Sequence, residues 1–290
     1  MGPAVLVPAF RRAPATRRAL ASLYAAGATR VILVDDEGQG DGVALAREFP
    51  GLEVLTTDRA LYWTGSIALA ARHAFASGAE SVLLFNQDVA VLGPDYFERL
   101  ARTAAARPGA LLGSAVVYAH EPDIVWSAGG RMEFWGRGPV VAFHGREVAA
   151  LPLEPFAVDW LFGMGTFVPR AVFERIGLPD GERFPMAWGD TDYSLRAKAA
   201  GVPVFVDPGL RLVHEVGGYD ARAAGPPSAG LYVSWLLDPR HNLSLDAHRE
   251  IWRRHGPRGL WPLALGVRAL HLLANYVRIR VLYPGEGREA

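Results

Sequence analysis

One stretch in the first third of the chain constrains the fold more than any other. Residues 81–85 form a largely apolar run that predicts a buried strand, and Asn86, Gln87 and Asp88 follow it directly. Open parallel sheets bind ligands just beyond the carboxyl ends of their strands. A single aspartate at that place suits a divalent cation, which takes oxygen ligands and often shares them with substrate phosphates. A plain turn is the alternative at this point, because Asn and Asp favour turns.

The same alternation of strand and helix runs through the chain before this stretch. Three further apolar runs predict short strands at residues 4–8, 30–34 and 53–56. The spacing of apolar residues predicts helices at residues 14–26, 43–48 and 66–77. Strands and helices that alternate in this way are typical of a right-handed parallel sheet. We therefore expect an α/β fold with one Rossmann-like, mostly parallel sheet flanked by helices.

The alternation becomes less regular after residue 90. The pattern predicts helices at 94–106 and 170–176, and strands at 110–118, 158–168, 202–206 and 209–214. Residues 217–229 contain Gly, Ala and Pro with few apolar anchors, and we expect them to form a mobile loop that could close over a ligand. From residue 231 the pattern is helical. We expect one domain over residues 1–230 and a C-terminal helical extension over residues 231–290, packed on that domain.

The last helical segment has a mixed character. Residues 260–282 are mostly apolar but include four basic side chains, Arg268, His271, Arg278 and Arg280. Charges inside such a segment argue against a helix that spans a membrane. An amphipathic helix packed on the body of the protein, or lying on a membrane surface, fits the pattern better.

Composition excludes several classes of function. Lys plus Arg and Asp plus Glu are both 30, so the formal net charge is zero, which argues against a nucleic-acid-binding protein. The absence of cysteine excludes disulfides, thiolate zinc sites and cysteine nucleophiles. The first residues lack the basic and apolar regions of a signal peptide, so we expect a cytoplasmic protein, with peripheral contact at the inner face of a membrane left open. The sequence does not indicate an oligomeric state.

Several acidic residues and one histidine occur where an α/β site is expected. Asp35 and Asp36 follow the second predicted strand, and Asp88 follows the fourth. Asp190, in a Trp-Gly-Asp-Thr-Asp run, opens a predicted helix, and His214 ends a later strand. Each has an ordinary structural explanation, as a solvated turn, a helix cap or a core histidine. Their order along one chain favours a shared site.

Together these motifs resemble the inverting family 2 glycosyltransferases of the GT-A fold, nearest the rhamnosyltransferase and galactofuranosyltransferase-like branch. The resemblance covers about residues 4–255. The segments that support it lie at residues 7–10, 34–36, 62–65, 84–89, 163–177, 188–196 and 213–214. It implies a metal-dependent transfer of a sugar from a dTDP- or UDP-linked donor to a hydroxyl of a glycan, lipid-linked or small-molecule acceptor.

The resemblance also implies a role for each matching residue. The nucleotide-binding residues would be Pro8, Ala9, Phe10, Asp35, Trp63, Asn86 and Gln87, with Asp35 on the base. The ligands of Mg²⁺ or Mn²⁺ would be Asp88 and His214. The catalytic base would be Asp190, and the acceptor-binding residues would be Trp188, Asp192 and Trp160.

Three positions depart from the family pattern. Asn86 stands where the family's Asp-X-Asp motif begins, Gly189 stands where many relatives carry Glu or Asp, and residues 65–68 replace the usual Gly-Gly-Met-Asn. A non-catalytic nucleotide-sugar or glycan-binding module is therefore the alternative. A sugar-nucleotide pyrophosphorylase is less favoured, because the turn at residues 8–12 has no glycine run to hold phosphates.

Overall fold

The computed structural model describes residues 2–215 and 227–282. Its N-terminal part alternates strands and helices as the sequence predicts. The elements in order are β1 (Ala4–Ala9), α1 (Ala13–Ala25), β2 (Val31–Asp35), α2 (Gly42–Glu48), β3 (Glu53–Thr56), α3 (Tyr62–Ala76) and β4 (Ser81–Leu84). The loop predicted over residues 217–229 falls for the most part outside the described residues.

The remainder of the chain contains shorter strands and the C-terminal helices. The elements up to the last strand are β5 (Val89–Leu92), α4 (Tyr96–Ala106), β6 (Leu111–Tyr118), β7 (Val125–Ser127), β8 (Gly130–Glu133), β9 (Gly138–Val141), β10 (Phe156–Ala157), β11 (Thr166–Pro169), α5 (Arg170–Ile176), α6 (Gly189–Ala199) and β12 (Val204–His214). The helices α7 (Ala229–Leu237), α8 (Leu245–His255) and α9 (Trp261–Leu282) follow. Within the described ranges, no helix combines the length and the apolar character needed to cross a bilayer.

The central sheet confirms the predicted α/β class. Its strand order is β10-β12-β6-β11-β4-β1-β2-β3, and the pairs among β4, β1, β2 and β3 are parallel. β12 and β6 are also parallel, but β11 runs antiparallel between β4 and β6. If β11 ran parallel to β6, the chain between them would need a long crossover connection, usually a helix. The described segment between β6 and β11 contains strands and turns instead, so β11 enters in the opposite direction.

Helices cover both faces of the sheet, which explains why its central strands are apolar along their whole length. Every residue of β1 and β2 is buried. α3 packs on one face through Ile67 and Ala70, and α1 packs on the other through Leu20 and Leu23. Parallel strands covered in this way lose the polar alternation of half-exposed strands. The carboxyl ends of β1, β2 and β4 are therefore the parts of the central sheet that are free to bind ligands.

Several elements differ from the sequence prediction. α3 begins at Tyr62 rather than residue 66, because the Asp36 carboxylate accepts hydrogen bonds from the backbone N–H groups of Leu61 and Tyr62. Asp36 is 25 residues before Leu61 in the sequence, so no local pattern reveals this cap. The two strands predicted over 202–214 form the single strand β12 with a local irregularity, and the strand predicted over 158–168 is limited to β11. β5, which pairs with β12, was not predicted.

The C-terminal helices pack on the sheet domain through a separate apolar cluster. Trp188 and Leu195 of α6 contact Ile251 and Trp252 of α8, and Ala264 of α9 completes the contact. The domain boundary at residue 230 stays a prediction. Through this cluster, α8 and α9 pack beside α6.

Candidate functional site

A cleft opens at the carboxyl ends of β1, β2 and β4. Its larger part, the large cavity, has a volume of about 430 Å³. It is lined by residues 8–12 at and after the end of β1, by Asp36 after β2, by Tyr62 and Trp63 at the start of α3, and by residues 86–88 after β4. The predicted nucleotide-binding residues Pro8, Ala9, Phe10, Trp63, Asn86 and Gln87 all line it. Ligand pockets of small molecules typically have volumes in the range of about 300–1,000 Å³.

A second cavity continues the cleft toward α6. This small cavity has a volume of about 170 Å³ and shares Trp63, Asn86 and Met186 with the large cavity. Gly163 and Asp190 line its far side. The predicted catalytic residue therefore faces the same cleft as the predicted nucleotide-binding residues, at the opposite end from Asp88.

Gln87 fixes the turn that follows β1. Its side-chain oxygen accepts a hydrogen bond of 2.9 Å from the Phe10 backbone N–H, and its side-chain nitrogen donates one of 3.2 Å to the Phe10 carbonyl. Thr16 donates a further hydrogen bond to the same oxygen. This two-way contact joins the ends of β1 and β4. Arg11 and Arg12 belong to this turn and line the cavity. The sequence did not lead us to assign either arginine to the site.

The structure brings Asp36, rather than Asp35, to the large cavity. The Asp35 carboxylate is 4% exposed and turns toward α2, where it accepts hydrogen bonds from the backbone N–H groups of Gly40 and Gly42. Asp36 lines the cavity and caps α3. Neighbouring residues at a strand end point in opposite directions. The prediction named Asp35 as the nucleotide-binding residue, and the structure places the neighbouring Asp36 against the cavity instead.

Asn86 accepts a hydrogen bond of 2.7 Å from the indole Nε1–H of Trp63. An amide oxygen serves this purpose without a charge, which gives the departure from the Asp-X-Asp pattern a local role. Trp63 in turn needs Gly163, because a Cβ at that position would lie 2.0 Å from the indole ring. The wall shared by the two cavities therefore depends on Trp63, Asn86 and Gly163 together.

Asp88 lies beside Arg12 and His214. Its Oδ2 atom is 2.8 Å from Nη1 of Arg12 and 3.8 Å from Nε2 of His214. Burial acts to raise the pKa of Asp88, but His214 and Arg12 outweigh it and hold the pKa below its ordinary value. Asp88 is therefore an anion that is suited to binding a cation.

Asp88 and His214 together fit a divalent cation as a partial ligand set. Their 3.8 Å separation is longer than a hydrogen bond and shorter than twice a metal–ligand bond of about 2.1 Å. Within residues 2–215 and 227–282, the buried His214 Nδ1 atom has no hydrogen-bond partner. Among the described residues, no group of three or more His, Asp or Glu side chains is arranged to hold a metal. Magnesium sites often have only one or two carboxylates and complete their shell with waters and substrate phosphates.

Asp190, in the first turn of α6, faces the small cavity. Its carboxylate accepts hydrogen bonds of 2.9 Å from the Gly163 N–H and 2.7 Å from the Thr191 N–H. Burial raises the pKa of Asp190 above its ordinary value, and these hydrogen bonds only partly oppose the rise. The raised pKa makes the carboxylate a better proton acceptor.

The neighbouring Gly189 has no room for a side chain. A Cβ there would lie 2.2 Å from the Thr64 Oγ1 atom, so the first turn of α6 packs directly against α3. Thr64 occupies the space that a side chain at position 189 would need. Asp190 is thus the acidic side chain that the first turn of α6 presents to the cleft.

The structure does not bring the three predicted acceptor-binding residues to the two cavities. Trp160 is 2% exposed, and its indole N–H donates a hydrogen bond of 3.2 Å to the Arg131 carbonyl. Trp188 is buried against α8 and donates to the Asn242 carbonyl. Asp192 is fully buried.

Asp192 instead joins α6 to α8. Its carboxylate contacts Arg196, Arg254 and His255 at 2.8, 3.3 and 2.9 Å. Burial acts to raise its pKa, but His255 and Arg196 hold the pKa below its ordinary value. Asp190 and Asp192 are two residues apart on α6, so their side chains point to different sides of the helix. One faces the cleft, and the other anchors the helix that carries it.

The match to a family model identifies the chain. The model described as "Glycosyltransferase like family 2" matches residues 2–233, which include every residue of the cleft. The chain belongs to this glycosyltransferase-like family. A curated relative, the dTDP-rhamnosyl transferase RfbF of Shigella flexneri, is 32% identical over 71 residues, and this match covers 24% of each chain. The similarity to this relative thus spans about a quarter of its length.

Solved structures support the GT-A fold for this member of the glycosyltransferase-like family. GalNAc-T7 with UDP, GalNAc and Mn²⁺ has a TM-score of 0.56 at 14% identity, over 98% of this chain and 58% of that one. The mannosyltransferase PcManGT from Pyrobaculum calidifontis, with GDP-Man and Mn²⁺, has a TM-score of 0.55 at 16% identity, over 99% and 76%. S. aureus TarS 1–349 has a TM-score of 0.55 at 14% identity, over 97% and 90%. At these identities the likeness concerns the fold.

Proposed function

We propose that the chain is an inverting glycosyltransferase that moves a sugar from a nucleoside-diphosphate donor to a hydroxyl group of an acceptor. One observation supports the proposal above all. A single cleft holds Asp88, whose pKa is lowered, in its large cavity, and Asp190, whose pKa is raised, in its small cavity. Displacement of a diphosphate by a hydroxyl needs charge neutralisation at one point and proton removal at another.

The large cavity is the proposed donor site. Residues 8–10 and Trp63 would border the nucleoside, and Arg11 and Arg12 would approach the diphosphate. Guanidinium groups match the geometry of phosphate oxygens and keep their charge at all physiological pH values. The Arg12 side chain is close to half exposed, so it is free to turn from Asp88 toward a bound ligand.

The chemical step would take place at the junction with the small cavity. The acceptor oxygen attacks the anomeric carbon as the bond from that carbon to the diphosphate oxygen breaks. The electron pair of the broken bond leaves with the diphosphate, and the hydroxyl proton passes to Asp190. Attack from the face opposite the leaving group inverts the anomeric configuration, as in inverting glycosidases, with the acceptor in place of water.

Asp88 and His214 are the residues that would hold Mg²⁺ or Mn²⁺. A bound cation would supply Lewis-acid neutralisation of the leaving diphosphate. Arg12, 2.8 Å from Asp88, brings a permanent positive charge to the same place. The chain's own residues would therefore contribute part of this neutralisation.

The donor base and the acceptor are narrower proposals. A dTDP-sugar is the first candidate donor, because RfbF is a dTDP-rhamnosyl transferase and shares sequence with this chain. A UDP-sugar is the second, since UDP accompanies GalNAc-T7 in its structure. The acceptor would be a glycan, a lipid-linked glycan or a small molecule that presents a hydroxyl to the small cavity.

A thermal-shift panel tests the donor site. UDP, dTDP, GDP and CDP would each be added with and without Mn²⁺, because a ligand that binds only the folded state raises the melting temperature. We expect one pyrimidine diphosphate to give the largest shift and Mn²⁺ to increase it. Asp88→Asn should reduce the Mn²⁺-dependent part, and Asp246→Asn, in the first turn of α8, is the matched control.

A transfer assay with the nucleotide that binds then separates an enzyme from a binding module. Turnover of the corresponding nucleotide sugar supports the proposal. Binding without turnover of donor in the presence of acceptors of all three classes would favour the non-catalytic module. The absence of a shift with any nucleotide would contradict the donor site itself.

A further inference from the structure

The last helix, α9, is apolar on two opposite sides. One side packs on the body of the protein through Ala264, which is fully buried, and Leu272, which is 7% exposed. Tyr232 of α7 holds the same side, since its ring stacks on Tyr276 at 4.4 Å and its hydroxyl donates to the Leu272 carbonyl. These contacts fix which side of α9 faces outward.

The outward side presents a continuous row of large apolar side chains. Leu263, Leu270, Leu273, Val277 and Val281 are each more than half exposed. Their spacings of seven, three, four and four residues place them on one face of a helix. We call this row the apolar stripe. Monomeric proteins seldom expose contiguous apolar surface of this kind unless it binds something.

The charged side chains that α9 itself contains, Arg268, Arg278 and Arg280, are all positive. The sequence of α9 contains no Asp or Glu, although the chain as a whole has a formal net charge of zero. His271, Arg278 and Arg280 are exposed. Arg268 differs from them, because it is turned toward the body and donates a hydrogen bond to the Arg137 carbonyl. The outer surface of α9 is thus an apolar row with basic side chains at its borders.

We propose that the apolar stripe docks on an anionic lipid surface, with Arg278 and Arg280 at the level of the headgroups. Helices that lie in a membrane interface combine an apolar face with basic flanks in this way. The basic flanks complement anionic headgroups, and each arginine near such a surface adds to the attraction. A second copy of the chain is a poorer partner, because two such helices would bring like charges together.

The docking surface is tied to the cleft by direct packing. Ala264 of α9 belongs to the apolar cluster that contains Trp188, at the start of α6, and Trp252 of α8. Asp190 lies two residues beyond Trp188. Docking through α9 would therefore hold the small cavity at a fixed distance from the lipid surface. This proposal does not depend on the transfer reaction.

Vesicle co-sedimentation tests the proposal. The full chain would be mixed with vesicles of phosphatidylcholine alone and with vesicles that contain phosphatidylglycerol. We expect binding to the anionic vesicles that falls with added salt, because salt screens exposed charges. The triple variant Leu270→Gln, Leu273→Gln, Val277→Gln and the double variant Arg278→Glu, Arg280→Glu should each lose at least about tenfold in binding.

Matched substitutions at exposed positions outside α9 serve as controls. Leu153→Gln and Val43→Gln remove apolar side chains that are 91% and 65% exposed, and Arg47→Glu with Arg146→Glu reverses two exposed charges. These controls should bind as the unaltered chain does, with equal melting temperatures throughout. Failure of the unaltered chain to bind anionic vesicles would overturn the proposal. Equal losses in the controls, or sedimentation analysis showing a dimer that the triple variant abolishes, would also overturn it.

Discussion

The two ends of the cleft hold their carboxylates in opposite environments. Asp88 lies beside Arg12 and His214, and its pKa is held below the ordinary value. Asp190 lies among backbone N–H groups and apolar side chains, and its pKa is raised. None of the ion pairs among the described residues includes Asp190. The difference supports the proposed roles, in which Asp88 holds a cation and Asp190 accepts a proton.

The largest expected effect comes from the proton-accepting end. Asp190→Asn should lower transfer by about 10²–10⁴-fold, the usual contribution of a positioned general base. Nucleotide binding should remain near normal, because the large cavity is unchanged. Transfer kinetics and a thermal shift with the bound nucleotide, measured on the same preparation, check both statements. Asp246→Asn, also in the first turn of a helix, should leave both values unchanged.

The pH dependence of transfer sharpens the same comparison. Because the pKa of Asp190 is raised, protonation of this carboxylate should lower the transfer rate at pH values above the ordinary titration range of aspartate. An acid limb that is identical in the unaltered enzyme and in residual Asp190→Asn activity would assign the base elsewhere. Loss of nucleotide binding in Asp190→Asn would show that the two ends do not act separately.

The next effect concerns stability rather than chemistry. Asp192→Ala should lower the free energy of unfolding by about 3–5 kcal/mol, because it leaves buried positive charge without its partner. Urea unfolding measures the change. Asp238→Ala, which removes an exposed partner of Arg240, should cost about 0–1 kcal/mol. A similar small cost for Asp192→Ala would mean that the contact between α6 and α8 does not depend on this carboxylate.

The lowered pKa of Asp192 determines how the contribution of this carboxylate to stability changes with pH. Its contribution should be fully present above the unfolded value for aspartate, about 3.9, and lost as pH falls through the folded value. The difference in stability between the unaltered chain and Asp192→Ala should therefore shrink in strong acid. Asp190, with its raised pKa, should show the opposite dependence.

The contrast between Asp190 and Asp192 shows what the sequence could reveal. The order of apolar runs predicted the strands and helices around the cleft. The polar residues after β4 and the family resemblance at residues 8–10 predicted part of its lining. Local patterns did not show the direction of individual side chains. The choice between Asp35 and Asp36 depends on the pleat of β2, and the inward turn of Asp192 depends on α8, which lies more than 50 residues later.

Long-range hydrogen bonds account for most of the remaining differences. The early start of α3 depends on Asp36, and the turn that presents Arg11 and Arg12 depends on Gln87. β5 forms because β12 pairs with it, although β5 by itself is only a short apolar run in the sequence. Such contacts join residues that are far apart in the chain, so spacing within one segment does not reveal them.

At the charge-holding end, Arg12→Gln should weaken nucleoside-diphosphate binding by about tenfold, the range expected when one charged hydrogen-bond donor is lost at a partly exposed site. Arg17→Gln is the matched control. Arg17 lies on α1, which begins directly after Arg12; it is 45% exposed against 46% for Arg12, and it is paired with Glu48. Isothermal titration with and without Mn²⁺ measures the change. Equal affinity in the Arg12 and Arg17 variants would remove Arg12 from the donor site.

The smallest predicted effect concerns Trp63, which lines both the large and the small cavity. Trp63→Phe keeps an aromatic ring but removes the N–H that donates to Asn86, so transfer should fall by about threefold, as expected for one neutral hydrogen bond. Trp135→Phe changes a half-exposed tryptophan outside both cavities and should have no effect. If the junction orients donor and acceptor together, kcat should fall while the affinity for the nucleotide alone stays within about twofold. A loss confined to nucleotide affinity would instead assign Trp63 to the donor site. Asp190 would then be the remaining support for a separate role of the small cavity.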